Sequence, residues 1–175
     1  MSDTENAHLH AAAEYAAAEK NLAETAPAAN PGTYIYNVKF VCGLQNQAIA
    51  NPCSAALSRG IYSTEINIFN FNNVPANLLK SFVFVVVNNQ VIAREPANTG
   101  IIQNEQLQLP PNRATMDDCC KFSTLPGGAN NLLKIGWLKI MSNIELAVTA
   151  LYTVADATTN NVQSIDVEEV SAKMI

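Results

Sequence analysis

The chain has 175 residues and a hydrophobic fraction of 49%, which is enough to build one domain around a buried core. Its net charge of −5 and its 10 scattered Lys and Arg residues argue against nucleic-acid binding, because phosphate backbones are bound by clustered cations. No apolar run approaches the ~20 residues of a membrane-spanning helix. Charged residues make up only 14%, and 21 asparagines are present. Asparagine favours tight turns, and a sparsely charged surface also suits contact with other protein surfaces.

The N-terminal segment, residues 1–32, differs in composition from the rest of the chain. Ala7–Ala26 is rich in Ala, Glu, Leu and Lys, which are strong helix formers, and a proline follows it. Tyr15 and Leu22 fall on one face of this predicted helix, and a helix of this kind is marginal alone, so we expect it to dock on a partner. Two prolines and a glycine then form a linker. The sequence predicts an assembly helix with a linker over 1–32 and a β-sandwich domain over 33–175.

The start of the chain carries no basic region followed by an apolar one, so no standard signal peptide is predicted. Synthesis in the cytoplasm is the default expectation. Export to the surface by an unusual route, or release on lysis, stays open, and the cellular location is unknown at this stage.

Beyond the linker, the hydrophobic period changes to two, as in half-buried strands. Tyr34–Phe40 and Tyr62–Ile68 both alternate between apolar and polar side chains. Leu78–Val87 is almost continuously apolar, which indicates a central strand. Asn88-Asn89 then predicts a turn into a short strand at Val91–Arg94.

The second half of the chain continues the same pattern. Ile101–Leu109 is predicted as a strand. Leu133–Met141 and Ile144–Val154 flank Ser142-Asn143, which predicts a two-residue hairpin. Gln163–Val170 is more polar and is a candidate edge strand. About eight short strands separated by turns are typical of an all-β fold, an antiparallel β-sandwich or jelly roll.

Four cysteines are candidate thiol or disulfide positions. Cys42 and Cys53 bracket a loop, and Cys119 and Cys120 are adjacent. Unlinked thiols, disulfides within or between chains, and a metal site all stay open, although no C-x₂₋₄-C spacing typical of zinc is present. If an intramolecular bridge forms, we expect Cys42 with Cys53. Strand geometry would send Cys119 and Cys120 to opposite faces. The pattern predicts no bound metal and no cofactor.

Catalytic arrangements are hard to build from this sequence. The histidines, His8 and His10, both precede the β-domain, so a general base would be poorly held. Asp117-Asp118 and Glu168-Glu169 are adjacent carboxylates that diverge on a strand, and they are expected to be solvated on two faces. Nucleotide-binding and hydrolase motifs are absent. We therefore predict that the protein is not an enzyme.

One group of aromatic residues is a candidate ligand surface. Trp137, Tyr34, Tyr36 and Tyr62 all lie in predicted strands, where they could stack on a sugar or another small ligand. Aromatic residues in strands are more often part of a core, so both interpretations stay open.

Four segments carry a resemblance to known proteins. YNVKFVCG (residues 36–43), GIYSTEINIFNF (60–71), MDDCC (116–120) and IELAVTALYT with SIDVE near the end resemble a group of small, uncharacterised bacterial proteins. That resemblance implies a β-sandwich and supplies no catalytic residues. The architecture is also similar to that of endospore-appendage subunits, which polymerise through an N-terminal connector and disulfides. Their paired cysteines lie in the connector, whereas Cys119 and Cys120 lie within the domain.

Taken together, the sequence favours a non-enzymatic subunit that associates with itself, as a homo-oligomer or a filament with a structural role. A binding module for a sugar or small ligand is one alternative. A metal or redox protein based on the cysteines is the other.

Overall fold

The structure, a computed structural model, describes residues 32–46, 59–128 and 130–175. The helix predicted over 7–26 lies outside these residues. The described part of the chain forms ten strands and one short helix. The elements are β1 (Tyr34–Gln45), β2 (Gly60–Asn70), β3 (Ala76–Val87), β4 (Gln90–Val91), β5 (Gln103–Leu109), β6 (Arg113–Asp118), α1 (Cys119–Thr124), β7 (Lys134–Ser142), β8 (Ala147–Ala155), β9 (Val162–Glu169) and β10 (Lys173–Met174).

The strands form two antiparallel layers that enclose the core. Sheet A has the order β5–β3–β7–β1–β10, and β4 extends the β5 side of β3. Sheet B has the order β6–β2–β8–β9. This arrangement confirms the predicted all-β, sandwich-like fold. The predicted edge position of the last long strand is also confirmed, since β9 ends sheet B.

Strand β1 belongs to both layers, which links the two sheets at one end of the sandwich. Residues 34–42 pair with β7 in sheet A, whereas residues 43–45 pair with the start of β2 in sheet B. The change of direction occurs at Gly43, whose φ is 102°. A Cβ at this position would lie 2.4 Å from the carbonyl oxygen of Leu132, so only glycine fits here.

The core lies between the sheets and follows the alternation seen in the sequence. Phe40 stacks on Phe122 with a centroid distance of 4.0 Å, and Phe84 meets Phe40 edge-on at 5.7 Å. The Tyr36 hydroxyl donates to the carbonyl oxygen of Leu146 at 3.0 Å and accepts from its N–H at 2.7 Å. Buried aromatic and branched side chains on alternate positions therefore join the two layers.

The turn predicted at Asn88-Asn89 is confirmed. The two residues have φ angles of 54° and 65°, and Val87 pairs directly with Gln90 across them. Two successive positive φ values suit asparagine and produce a tight hairpin whose twist matches that of the strands.

The hairpin predicted at Ser142-Asn143 is wrong, because the two flanking strands lie in different sheets. β7 pairs with β1 and β3 in sheet A, whereas β8 pairs with β2 and β9 in sheet B. Both residues are buried, and Asn143 Oδ1 accepts from the N–H of Asn77 at 2.8 Å. The segment is therefore a buried crossing between layers.

The prediction that Cys119 and Cys120 lie on a strand and point to opposite faces is wrong, because both residues belong to the first turn of α1. Asp118 caps this helix, and its side chain accepts from the N–H of Lys121 at 2.9 Å. An aspartate at the N-cap satisfies a backbone donor that the first helical turn leaves open.

Candidate functional site

The free edge of sheet B is formed by β9, and all eight of its residues are exposed. Strand β8 pairs with one side of β9, and no strand within the described residues pairs with the other side. The register with β8 places Ile165 and Val167 on the outer face of the sheet and Asp166 and Glu168 on the inner one. A sheet edge with exposed apolar side chains is a ready template for pairing with another chain.

The outer face of sheet B carries further exposed apolar side chains, with polar and acidic residues between them. Its large apolar side chains project from β2, β6 and β9, and each is between 38% and 66% exposed. They are Ile61, Phe69, Met116, Val162, Ile165 and Val167, and we refer to this set as the outer patch. Exposed large apolar side chains grouped on one face often mark a protein contact, and the described residues leave this set uncovered, so the outer patch is a candidate contact surface.

The charges on this face all have one sign. Glu65, Asp118 and Glu169 project from the same side of sheet B, as the strand registers show. Asn67 donates to the Glu65 carboxylate at 2.8 Å. No lysine or arginine in the strands of sheet B joins them, because Arg113 pairs with a buried position of the opposite face. A partner must therefore avoid placing its own carboxylates directly over these three.

The inner side of β9 is tied to sheet A by Tyr152. Its hydroxyl lies 3.0 Å from the carbonyl oxygen of Lys39 and 3.1 Å from a carboxylate oxygen of Glu168. Burial, followed by the hydrogen bond and the charge of Glu168, raises the pKa of Tyr152. The hydroxyl stays protonated and can donate to either acceptor, so β9 is held in place although its side chains are exposed.

The cysteines form a bridge that the sequence did not predict. Cys42 is bonded to Cys119, 77 residues away, so the expected Cys42–Cys53 pairing is wrong. Cys53 lies outside the described residues. Cys120 is a free and exposed thiol. The bridge connects β1 with the start of α1, and the N–H of Thr64 points to Cys119 Sγ at 3.3 Å.

A cavity of about 470 Å³ lies beside this bridge, and Cys42, Cys119 and Cys120 all contribute to its wall. Lys134 also lines it and is 1% exposed. Its ammonium group donates to the carbonyl oxygens of Leu132, at 3.1 Å, and Asn130. Burial lowers the pKa of Lys134. Within the described residues, no carboxylate lies within ion-pair distance of this ammonium group.

The four aromatic residues considered as a ligand surface do not converge. Trp137 is exposed on the outer face of sheet A, whereas Tyr36 is 1% exposed in the core. Tyr34 packs against the core cluster from the same face of β1. Tyr62 lines the cavity beside the disulfide. The four residues therefore do not form a single stacking platform, because strand alternation separates Trp137 from Tyr34 and Tyr36.

The adjacent carboxylates also differ from the expectation that both members are solvated. Asp117 is 1% exposed and accepts two hydrogen bonds from Lys80, at 2.7 and 3.0 Å. Glu105 joins this buried group by contacts with Lys80, at 3.4 Å, and with Lys121. These ions neutralise one another, so they form a structural network and leave no unpaired carboxylate for acid–base chemistry.

The remaining candidates concern the N-terminal segment and metal binding. Tyr15, Leu22, His8 and His10 lie outside the described residues. Within residues 32–46, 59–128 and 130–175, no group of three or more His, Cys, Asp or Glu side chains is placed to hold a metal ion. None of the helices in this part of the chain is long and apolar enough to span a membrane.

Comparison with known proteins adds little to this geometry. No protein-family model and no curated protein matches the chain. One solved structure, Thermotoga maritima 1070, is similar with a TM-score of 0.45 and 11% sequence identity. The similarity covers 80% of this chain and 92% of that one.

Proposed function

We propose that this protein is a non-enzymatic structural subunit that associates with further copies of itself through β9 and the outer patch. The observation that carries the proposal is the edge of sheet B at β9, where Ile165 and Val167 are more than 60% exposed and no described strand pairs with one side. Exposing these two apolar side chains to water does not stabilise an isolated protein. A second copy offers the same edge and the same apolar face.

Stable association requires contacts from both the edge of β9 and the outer patch. Burying one large apolar side chain completely is worth about 1.5–3 kcal/mol, so covering the half-exposed outer patch is worth about 5–9 kcal/mol. Association costs about 4–15 kcal/mol in lost freedom. The patch alone therefore gives weak binding. Backbone hydrogen bonds between two β9 strands, and the area that they bring together, supply the rest of a stable contact.

Charge restricts the pairing registers of two antiparallel β9 strands, and we propose the register whose axis also brings the exposed Ile165 of each copy together. A two-fold axis at Ile165 places that residue opposite its own copy and Ser164 opposite Asp166 of the second copy. Glu168 then lies opposite Val162, so no two carboxylates are directly paired. Moving the axis to Asp166 would place two aspartates opposite each other, and like charges in that position are destabilising. This register also places the two outer patches on the same face of one continuous sheet, where a further pair can contact them.

The test is the particle mass of the full-length protein and two single variants by light scattering. We expect wild-type protein to be larger than the 18.8 kDa chain at micromolar concentration. Ile165→Lys places two ammonium groups at the axis and should shift the equilibrium to monomer. Val74→Lys changes an exposed apolar residue in the turn after β2, outside β9 and the outer patch, and should leave the mass unchanged. A wild-type protein that is monomeric throughout this range would contradict the proposal.

Cross-linking tests the register separately. Residues directly opposite each other in an antiparallel pair have Cβ atoms about 4.5–5.5 Å apart. In Ile165→Cys, oxidation should therefore produce a covalent dimer bridged between the two introduced thiols, as peptide mapping would show. Val74→Cys is the matched control and should not produce it. A dimer bridged between the introduced thiols in similar yield in both variants would exclude this register.

The N-terminal segment fits the same proposal as a secondary element. In the predicted helix, Tyr15 and Leu22 would form a stripe too narrow for a stable interface, so we expect the segment to tune an association made by the sandwich. Removing residues 1–30 should then shrink or weaken the particle without abolishing the fold, which light scattering and circular dichroism would distinguish.

A further inference from the structure

The disulfide of this protein faces an open cavity, whereas a purely structural bridge is commonly sealed. Cys42 is 2% exposed, but Cys119 is half-buried and lines the cavity together with the exposed Cys120. An external reagent can therefore reach the sulfur of Cys119 more easily than that of Cys42. Accessible disulfides are the ones that exchange with external thiols.

The second feature is a buried positive charge on the Cys42 side of the bridge. Cys42 and Lys134 are directly opposite residues of β1 and β7, so their side chains leave the sheet on the same inner face. Directly opposite residues have Cβ atoms about 4.5–5.5 Å apart. The Lys134 ammonium group is held by backbone carbonyls, and no carboxylate within the described residues neutralises it. A nearby ammonium stabilises a thiolate and lowers the pKa of the thiol.

These two features make the two sulfurs unequal, since a full positive charge beside Cys42 stabilises a thiolate more than the single neutral N–H of Thr64 at Cys119 does. Cys119 is the accessible sulfur, and Cys42 is the sulfur whose thiolate the buried ammonium would stabilise. Thiol–disulfide exchange is faster when the departing thiol has a lower pKa. Attack from the cavity on Cys119, with Cys42 leaving, is therefore the direction that the geometry favours.

The cavity also limits the size and chemistry of the incoming thiol. Its volume of about 470 Å³ suits a small molecule. Ser63, Ser123, Asn130 and Asn131 line it with hydroxyl and amide groups. Such groups hydrogen-bond to amides and carboxylates. The wall also includes the apolar side chains of Leu44, Ile61 and Tyr62, so a small peptide-like thiol, which has both polar and apolar parts, suits it.

We propose that the Cys42–Cys119 disulfide is an exchange site for a small peptide-like thiol, which forms a mixed disulfide with Cys119. In the first step the thiolate of the incoming molecule bonds to Cys119 Sγ, the bond between the two cysteines breaks, and its electron pair leaves on Cys42 beside Lys134. A second molecule of thiol then attacks the mixed disulfide. It releases the oxidised small-molecule disulfide and leaves both cysteines reduced, so two thiols are oxidised for each protein disulfide reduced.

The experiment uses reduced glutathione as the probe, on the full-length protein carrying Cys53→Ser and Cys120→Ser, so that only the bridged cysteines can react. After an acid quench, intact mass and peptide mapping should show glutathione attached to Cys119 under native conditions. Glutathione found on Cys42 would overturn the proposed direction. A bridge that reacts only after denaturation would overturn the exchange site altogether.

A lysine variant tests the role of the buried charge. In the same background, Lys134→Met should slow the native reaction by about tenfold, because a neighbouring cation can lower a thiol pKa by one or more units. Lys139→Met removes a charge from the opposite face of the same strand and should leave the rate unchanged. Equal rates in the two variants would exclude a role for Lys134. If Lys134→Met does not fold, the position of the adduct in the unmodified lysine background still decides whether exchange occurs at Cys119.

Discussion

Replacing Asp117 by alanine should destabilise the fold more than replacing Asp117 and Lys80 together. The Lys80 ammonium lies 2.7 Å from one Asp117 carboxylate oxygen, and the two side chains are only 8% and 2% exposed. At an effective dielectric constant of ~20, opposite charges ~3 Å apart attract by about 5–6 kcal/mol. Removing two ions from water costs several kcal/mol for each. The pair therefore contributes little net free energy, although each ion depends on the other.

The single and double variants separate these two contributions. Asp117→Ala leaves the Lys80 ammonium buried without its main partner, and breaking a buried pair in this way costs about 3–5 kcal/mol. Glu105 lies 3.4 Å from the same ammonium and retains part of the attraction, so we expect about 3 kcal/mol. Lys80→Met isolates Asp117 in the same way. The double variant leaves neither of these two ions buried alone, and it should recover about 2 kcal/mol relative to Asp117→Ala.

The assay is urea unfolding at pH 7 and 25 °C, followed by circular dichroism. Glu145→Ala is the control, because this carboxylate is exposed, and its effect should stay below about 0.5 kcal/mol. If the losses of the two single variants simply add in the double variant, the ion pair is not coupled and the reasoning is refuted.

Two further predictions concern single side chains. Tyr36→Phe removes both hydrogen bonds to the Leu146 backbone and leaves a buried N–H and carbonyl unsatisfied, so urea unfolding should show a loss of about 1–3 kcal/mol; a loss within experimental error would contradict this. Burial opposes ionisation of Glu105, but hydrogen bonding from Lys121 and the nearby ammonium groups lower its pKa overall. Its contribution to stability is therefore present above the unfolded-state pKa of about 4.3 and is lost as pH falls through the lower folded-state value. Thermal unfolding between pH 6 and 3 should decline more steeply in wild type than in Glu105→Gln, and parallel curves would exclude this linkage.

Local patterns in the sequence predicted most of the long strands, whereas β6 and β10 were not predicted. The alternation in Tyr34–Phe40 and Tyr62–Ile68 correctly indicates which side chains face the core, because neighbouring residues of a strand point to opposite sides. Asn88-Asn89 likewise carries its own turn signal, since asparagine tolerates positive φ. These features depend only on residues close together in the chain, so they can be predicted from hydrophobic periodicity and composition.

The candidate sites depend on contacts that no local pattern contains. The outer patch was missed because an apolar alternation in β9 normally indicates a face turned toward the core. The register with β8 instead places Ile165 and Val167 outside. The sequence also did not indicate a role for Lys134, because it is a single lysine within an apolar segment. Only the pairing of β7 with β1 places it opposite Cys42.

The length and alternation of the strands were determined by the sequence itself, because each strand exposes and buries side chains with a period that its own residues set. The partner of each strand was decided by the tertiary structure. β7 and β8 are separated by four residues yet lie in different sheets, while Cys42 and Cys119 are 77 residues apart and bonded. The pairing of the strands depends on which arrangement buries the most apolar surface and satisfies the most backbone hydrogen-bonding groups. Both totals are summed over the whole domain, so the complete fold determines them.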